Sequence, residues 1–177
     1  FALPILAKIK RKGPVQAVIL APTRELAVQV TAEIEKFARY TGIRAVSIYG
    51  GQSIGIQYNQ LRKGVQIVIA TPGRLIDHIK RGSIRLEEVK FAVLDEADRM
   101  LDMGFVDDIK YILSYMRKDR QTCLFSATMP REVLRLAQEY MVDPKEIRLN
   151  EKELSLDTID QSYLVVHEKE KFKHLCN

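Results

Sequence analysis

Three carboxylates follow a short apolar run in the middle of the chain, within Phe91–Asp98. The four apolar residues that open this stretch are typical of a strand buried on both faces of a parallel sheet. Such strands deliver their carboxyl ends to the ligand crevice of the sheet. A carboxylate there can hold Mg²⁺ through water, and a second can orient or deprotonate the water that attacks a γ-phosphate. Asp95 and Glu96 are our candidates, although an acidic turn with Asp98 near a helix start is the simpler interpretation.

Three other places put small, hydroxyl-bearing or arginine residues directly after an apolar run. They are Pro22-Thr23-Arg24-Glu25, Gly50-Gly51 and Thr71-Pro72-Gly73-Arg74. Free N–H groups and the positive dipole end at a helix N-terminus attract anions, glycine admits a close backbone, and arginine binds phosphate oxygens in pairs. Taken singly, each has an ordinary explanation as a capped helix start, a tight turn or a solvated arginine. Together they predict contact with the backbone of a polyanion.

A fourth polar connection follows the apolar residues Leu124-Phe125. Ser126 and Thr128 lie in it, and Pro130 is well placed to open the next helix. Their hydroxyls could reach Asp98 if the two strands are close in the sheet. Hydrogen bonds to the local turn backbone are the alternative.

Apolar runs alternate with amphipathic stretches along most of the chain, which predicts βαβ units and a right-handed, doubly wound parallel α/β sheet. All functional loops should then gather at one edge of the sheet. The predicted strands are Val15–Ala21, Arg44–Tyr49, Val65–Ala70, Phe91–Leu94 and Thr122–Phe125. The predicted helices are Glu25–Arg39, Ser53–Arg62, Pro72–Lys80, Val106–Met116 and Pro130–Met141. The first of these helices has the clearest apolar face, formed by Leu26, Val30, Ile34, Phe37 and Ala38.

The composition is that of a globular chain, with 46% hydrophobic and 29% charged residues over 177 positions. This length suits one domain, or one domain with a piece of a second. No apolar run has membrane-spanning length, no signal peptide is visible, and two cysteines suggest no disulfide framework. The expectation is an intracellular protein, cytoplasmic or nuclear, without a membrane partner. A net charge of +5 favours an anionic partner such as nucleic acid.

The ordered set of these motifs resembles that of the DEAD-box RNA helicases. It consists of PTREL at Pro22–Leu26, Gly50-Gly51, TPGR at Thr71–Arg74, DEAD at Asp95–Asp98 with its extension to Phe105, and SAT at Ser126–Thr128. The resemblance covers the chain from Pro22 to Thr128. It implies a fold of the RecA-like, P-loop NTPase class, with ATP and Mg²⁺ on one side and single-stranded RNA on the other.

Roles for individual residues follow from the resemblance. Asp95 would hold Mg²⁺ through water, and Glu96 would position the attacking water. Asp98 would bond with Ser126 and Thr128, linking the nucleotide state to the grip on RNA. The residues assigned to RNA contact are Pro22, Thr23, Arg24, Glu25, Gly50, Gly51, Thr71, Pro72, Gly73 and Arg74.

The chain departs from the family pattern at both ends. It has no glycine-rich phosphate loop ending in Gly-Lys-Thr and no adenine-recognition segment, which should precede Phe1. The apolar start, Phe1–Ala7, is interpreted as the inside of a buried helix. We therefore expect residues 1–149 to be the first RecA-like domain without its phosphate loop, 150–158 a linker, and 159–177 the beginning of a second RecA-like domain. Within residues 159–177, polar and apolar residues alternate along Ile159–His167 as in a strand, and Glu168–Leu175 resembles a helix start.

The sequence thus predicts an ATP-dependent RNA helicase that separates short duplexes, present here as a fragment that is inactive alone. Its partners would be RNA and the second helicase domain of the same protein. An alternative is a non-catalytic RNA-binding module of helicase-like fold that has dispensed with the phosphate loop. A helicase of another family acting on DNA is disfavoured by PTREL and TPGR together.

Overall fold

The computed structural model describes residues 1–149 and 162–176. The chain divides into two compact units, Phe1–Pro144 and Lys145–Asn177. The strands of the first unit are β1 (Ala17–Leu20), β2 (Ala45–Ile48), β3 (Ile67–Ala70), β4 (Phe91–Leu94) and β5 (Gln121–Leu124). Its helices are α1 (Ala2–Lys8), α2 (Arg24–Ala38), α3 (Ile54–Arg62), α4 (Pro72–Lys80), α5 (Ala97–Asp102), α6 (Val106–Ser114) and α7 (Arg131–Tyr140).

The five strands form one parallel sheet in the order β2-β3-β1-β4-β5. The connection from β1 leads to β2 on one side of the sheet, and the connection from β4 leads to β5 on the other. In open α/β sheets such a change of direction leaves a crevice at the carboxyl ends of the two central strands. The predicted doubly wound parallel sheet is confirmed.

The core lies on both faces of the sheet, because successive residues of each strand point to opposite sides. Leu20 of β1 belongs to one apolar cluster with Leu75 of α4, and Ile19 belongs to the other with Ile34 of α2. These four side chains are at most 1% exposed. Burial of each contributes about 1.5 to 3 kcal/mol to folding. A sheet anchored on both faces gives the loops at its carboxyl edge a rigid base.

The predicted elements differ from the observed ones mainly at their ends. Val15 and Ala21 are buried but lie outside β1, because burial extends beyond the paired residues of the strand. Helix α5 is absent from the predicted set. It is only six residues long and begins directly after Asp95 and Glu96, so hydrophobic periodicity gives it little signal.

Two predictions of helix burial are wrong. Phe37 is 48% exposed, because the buried stripe of α2 consists of Ala27, Thr31, Ile34 and Ala38 and leaves Phe37 on its flank. The apolar start forms α1 as predicted, but only one side of that helix is buried. Leu3 is 62% exposed.

In the second unit, a 3₁₀ turn at Glu168–Glu170 continues into α8 (Lys171–Leu175). The predicted helix at Glu168–Leu175 is thereby confirmed. Residues 162–167 are not paired as a strand, contrary to the prediction for Ile159–His167, since a strand requires a partner for its backbone groups. Residues 159–161 and the predicted linker lie outside the described residues. None of the helices in the two described ranges combines the length and apolar character needed to cross a membrane.

Candidate functional site

Asp95 begins the turn that leaves β4. Its N–H donates to Leu20 O of the neighbouring strand at 3.0 Å, and its Oδ1 accepts from Glu96 N–H at 3.1 Å. Burial raises the pKa of Asp95 above its ordinary value, and repulsion from the Glu96 carboxylate adds to the effect, although the Glu96 N–H opposes it. The described residues give Asp95 no salt bridge within 4.0 Å. It is a half-buried carboxyl group whose charge a cation would stabilise.

Glu96 occupies a strained position. Its backbone is left-handed, with φ 48° and ψ 52°, a conformation that costs a residue with a side chain roughly 1 to 2 kcal/mol. Hydrogen bonds from Asp95 N–H to Leu20 O and from Ala97 N–H to Phe125 O hold the turn on both sides. The Glu96 carboxylate lies 3.1 Å from Arg99 Nη1, and its side chain is 42% exposed. Strain of this kind is characteristic of functional turns, and this one leaves the carboxylate open to solvent.

Asp98 joins the carboxylate turn to the loop after β5. Its Oδ2 accepts from Thr128 Oγ1 at 2.7 Å and from Thr128 N–H at 2.9 Å. Its own N–H donates to Ser126 Oγ at 3.1 Å, and Ser126 Oγ donates to Thr128 O at 2.7 Å. Partial burial favours the neutral acid, but the hydrogen bonds outweigh it and lower the pKa of Asp98. Ser126 thus bonds both locally and across, while the Thr128 hydroxyl bonds across to the carboxylate.

The junction after β1 meets the junction after β2. Thr23 caps α2 by accepting from Leu26 N–H at 3.2 Å, and Glu25 is exposed in the first turn. The guanidinium of Arg24 lies over the ring of Tyr49, 4.9 Å from its centroid. A Cβ atom on Gly51 would come within 3.9 Å of Arg24 Nη1. The exposed arginine and the diglycine turn therefore form one continuous surface.

Gly50 and Gly51 differ in backbone conformation, which gives a matched pair of variants. Gly51 has φ +82°, whereas Gly50 lies outside the left-handed region and has open space where a Cβ would be. We expect Gly51→Ala to lower the free energy of unfolding by about 1 kcal/mol. Gly50→Ala should leave it unchanged or slightly higher. Thermal unfolding of the two variants measures this difference, and equal midpoints would contradict the strained turn.

Arg74, in the junction after β3, is engaged inside the protein. Its Nη1 donates to Gln52 O at 2.8 Å and to Gln57 Oε1 at 3.3 Å, and its Nε lies 3.7 Å from Asp77 Oδ2. The side chain is only 16% exposed. The simple interpretation of Arg74 as a solvated arginine is wrong. Its position is set by the loop after β2, to which it is bonded.

The remaining residues of that junction behave as a helix start. Thr71 is at the N-cap of α4 without a side-chain capping bond, and Pro72 is the first helical residue. Gly73 is exposed with open space around it. Pro22 and Pro72 are buried, so they shape the junctions and offer little surface of their own.

The structure brings the predicted site residues to one edge of the sheet, in two groups. The carboxylate turn and the Ser126–Thr128 loop are bonded to each other, and the three junctions are bonded or packed together. Sequence reasoning missed Tyr49, Gln57 and His78, whose side chains or carbonyls contact one another and the arginines of the junctions. The available signal was His78 itself, a polar residue at an apolar position of α4.

A doubly wound parallel sheet with an acidic strand end and junctions that carry glycine, threonine and arginine at the same edge is consistent with a RecA-like domain. The DEAD/DEAH box helicase family matches residues 1–136 of the chain. The chain therefore belongs to the DEAD/DEAH box helicase family, as its motifs indicated.

Similar proteins agree with this assignment. The chain is 49% identical to the DEAD-box ATP-dependent RNA helicase CshA of Geobacillus kaustophilus, over 97% of this chain and 37% of that protein. It is equally similar to the ATP-dependent RNA helicase CshA of Listeria monocytogenes, with 33% of that protein covered. The crystal structure of a DEAD box protein from Methanococcus jannaschii superposes with a TM-score of 0.82 at 45% identity, covering 99% of this chain and 47% of that one. The chain thus spans about a third of the length of these curated relatives.

Proposed function

We propose that the full-length protein carrying this chain is an ATP-dependent RNA helicase that binds the backbone of single-stranded RNA and separates short duplexes. The single observation that carries the proposal is the bond between Asp98 and Thr128. It joins an acidic strand end, suited to phosphate hydrolysis, to a second loop at the same sheet edge as the anion-binding junctions. Family membership and the named relatives support both substrates.

In the nucleotide half of the mechanism, Asp95 and Glu96 divide two tasks. Glu96, held open to solvent by its strained turn, orients the water that attacks the γ-phosphate and accepts its proton. Asp95 stays half-buried beside it. Positioning is most of the catalysis in phosphoryl transfer, so the rigid backbone of this turn matters as much as its charge.

Mg²⁺ fits this arrangement as a companion of ATP. The described residues contain no cluster of three or more His, Cys, Asp or Glu that could hold a metal. Mg²⁺ needs no such cluster, since one or two carboxylates, water and nucleotide phosphates commonly complete its shell. Asp95, whose pKa is raised by burial, would hold it through water. When bound, Mg²⁺ neutralises charge on the phosphates.

In the RNA half, the three junctions hold the sugar-phosphate backbone. Arg24 is exposed and carries its full charge to the surface, and Gly50 and Gly51 leave room for a close approach. N–H groups at the starts of α2 and α4 add donors for phosphate oxygens. Contacts of this type read the backbone and carry no base sequence.

The domain organisation is part of the proposal. Residues 1–149 form the first RecA-like domain, 150–158 a linker and 159–177 the beginning of a second. The 177 residues contain no glycine-rich phosphate loop, so ATP would be held jointly with parts of the protein outside them. The greater length of the relatives supports this view. Because the substrates are ATP and RNA, we place the activity inside the cell, in the cytoplasm or the nucleus.

The test is ATP hydrolysis by the full-length protein with and without single-stranded RNA. We expect RNA to accelerate phosphate release and DNA of the same sequence to have little effect. Sequence-selective RNA binding without ATP turnover would instead establish the non-catalytic RNA-binding module. Stimulation by DNA equal to that by RNA would favour a helicase of another class.

The 177-residue chain by itself should bind RNA weakly and hydrolyse no ATP. Its junctions remain, but the phosphates of ATP lack a backbone cradle and a lysine. Affinity for single-stranded RNA should fall steeply as salt rises from about 50 to about 200 mM, because the contacts are to phosphates. Fluorescence anisotropy at both salt concentrations, with parallel phosphate release, measures this. ATP turnover by the fragment would show that the nucleotide site has been misplaced.

A further inference from the structure

One buried amide, that of Gln57 in α3, is hydrogen-bonded to the second and third junctions and, through Tyr49, is linked to the first. The side chain is 0% exposed, and all its hydrogen-bonding capacity is used. Nε2 donates to Tyr49 O and to Gln52 Oε1, both at 2.9 Å. Oε1 accepts from Arg74 Nη1 at 3.3 Å and lies 3.2 Å from His78 Nε2.

These partners fix the orientation of the amide. Exchanging its oxygen and nitrogen would set an NH₂ group against Arg74 and an oxygen against the Tyr49 carbonyl, so both contacts would become repulsive. His78 Nε2 is therefore a donor to Gln57. Burial, assisted by the charge of Arg74, lowers the pKa of His78, which favours the neutral ring. His78 Nδ1 lies 2.7 Å from Ser83 Oγ, and the Ser83 hydroxyl is also within hydrogen-bond distance of the His78 carbonyl, at 3.0 Å.

The hydrogen bonds of Gln57 connect it to the surface that the proposed function assigns to RNA. The backbone carbonyl of Tyr49 accepts from Gln57, and the ring of Tyr49 lies under the guanidinium of Arg24. Arg74 is bonded both to Gln57 and to the carbonyl of Gln52. One buried side chain thus connects the arginines of the first and third junctions with the turn of the second.

We propose that Gln57 is a positioning residue for RNA binding, which holds Arg24, the Gly50–Gln52 turn and Arg74 in place for contact with backbone phosphates. The inference rests on the proposed function, since it deepens the role of the same surface. A neutral amide suits this task, because it accepts from Arg74 and adds no further negative charge to that of Asp77. Donors fixed in advance bind more tightly, because less conformational freedom is lost on binding.

The test compares Gln57→Leu with Gln66→Leu in the full-length protein. Gln66 is a matched control of the same residue type and only 4% exposed. Its Oε1 accepts from Arg44 N–H at 3.0 Å and its Nε2 donates to Gly13 O at 3.3 Å, at the opposite edge of the sheet. Both variants leave buried groups without partners, so both should lower the unfolding temperature. Gln57→Asn, which keeps the amide but shortens its reach, is a milder second variant.

Affinity for a single-stranded RNA of fixed length is measured for each protein below its unfolding midpoint, over a series of salt concentrations. We expect Gln57→Leu to raise the Kd about tenfold, as for one lost charge-assisted hydrogen bond, and Gln57→Asn to raise it by less. The slope of log Kd against log salt concentration should fall by about 1, which corresponds to the loss of one phosphate contact. Gln66→Leu should change neither quantity.

Two outcomes would overturn the positioning role alone. In one, the Gln57 variants bind RNA as the wild type does; in the other, Gln66→Leu loses the same affinity, so that general destabilisation explains the loss. A wild-type protein that fails to bind RNA would refute the proposed function itself, and the positioning role with it.

Discussion

Glu96→Gln in the full-length protein should slow ATP hydrolysis by about a hundredfold to ten thousandfold while ATP still binds, as expected for loss of a general base. The amide has the size of the carboxylate but cannot accept a proton from the attacking water. Binding should persist because Asp95 and the rest of the nucleotide site are unchanged. Single-turnover hydrolysis and nucleotide binding, measured on the same preparation, separate the two effects.

The fold should survive this substitution. The left-handed backbone at position 96 is strained for glutamine and glutamate alike, and the ion pair with Arg99 is between side chains that are 42% and 57% exposed. Pairs of this kind contribute little to stability. Glu139→Gln, which breaks the pair with Lys110 away from the sheet edge, is the matched control and should keep full activity. Turnover near wild type in Glu96→Gln would remove Glu96 from the catalytic role.

Changing Ser126 and Thr128 together to alanine should reduce unwinding far more than ATP hydrolysis. The two hydroxyls bond to Asp98 and to their own loop, and neither belongs to the carboxylate pair proposed for chemistry. A loss of roughly tenfold or more in unwinding is expected, the scale of a typical coupling between two sites. Hydrolysis should fall only slightly. Strand separation and phosphate release are followed in the same reaction.

A matched double variant tests whether this effect is specific. Ser114 and Thr41 also carry hydroxyls that bond to nearby backbone carbonyls, and both lie away from the candidate site. Changing them together to alanine should leave unwinding and hydrolysis unchanged. If Ser126→Ala with Thr128→Ala lowers both activities equally, the loop has a direct part in catalysis or in folding, and the coupling role fails.

The sequence predicted the doubly wound parallel sheet, which the structure confirms, and it predicted that the polar loops gather at one edge of that sheet. Parallel strands place their carboxyl ends at one edge of the sheet, so Asp98 and Thr128 were within possible reach, and the resemblance to DEAD-box helicases is what paired them. The contact also needed β4 and β5 to be neighbours. Strand order depends on packing between residues far apart in the chain, which local patterns do not record.

Other features lie beyond sequence reasoning for separate physical reasons. The left-handed conformation of Glu96 is imposed by hydrogen bonds to β1 and to the loop after β5, against the local preference of the residue. Gln57 looks like any polar residue on a helix, and only the structure shows that it is buried between four partners from two segments, the loop after β2 and α4. Phe37 shows the opposite error, because an apolar residue at helical spacing is on the flank of the buried stripe.

The most direct test of the central claim, that one sheet edge links nucleotide to RNA, is the Kd of the full-length protein for single-stranded RNA with and without an ATP analogue that cannot be hydrolysed. The linked arrangement predicts that the analogue tightens RNA binding, and that RNA tightens binding of the analogue by the same factor, because coupling between two sites is reciprocal. Ser126→Ala with Thr128→Ala should reduce that factor. Identical RNA affinities with and without the analogue would contradict the account.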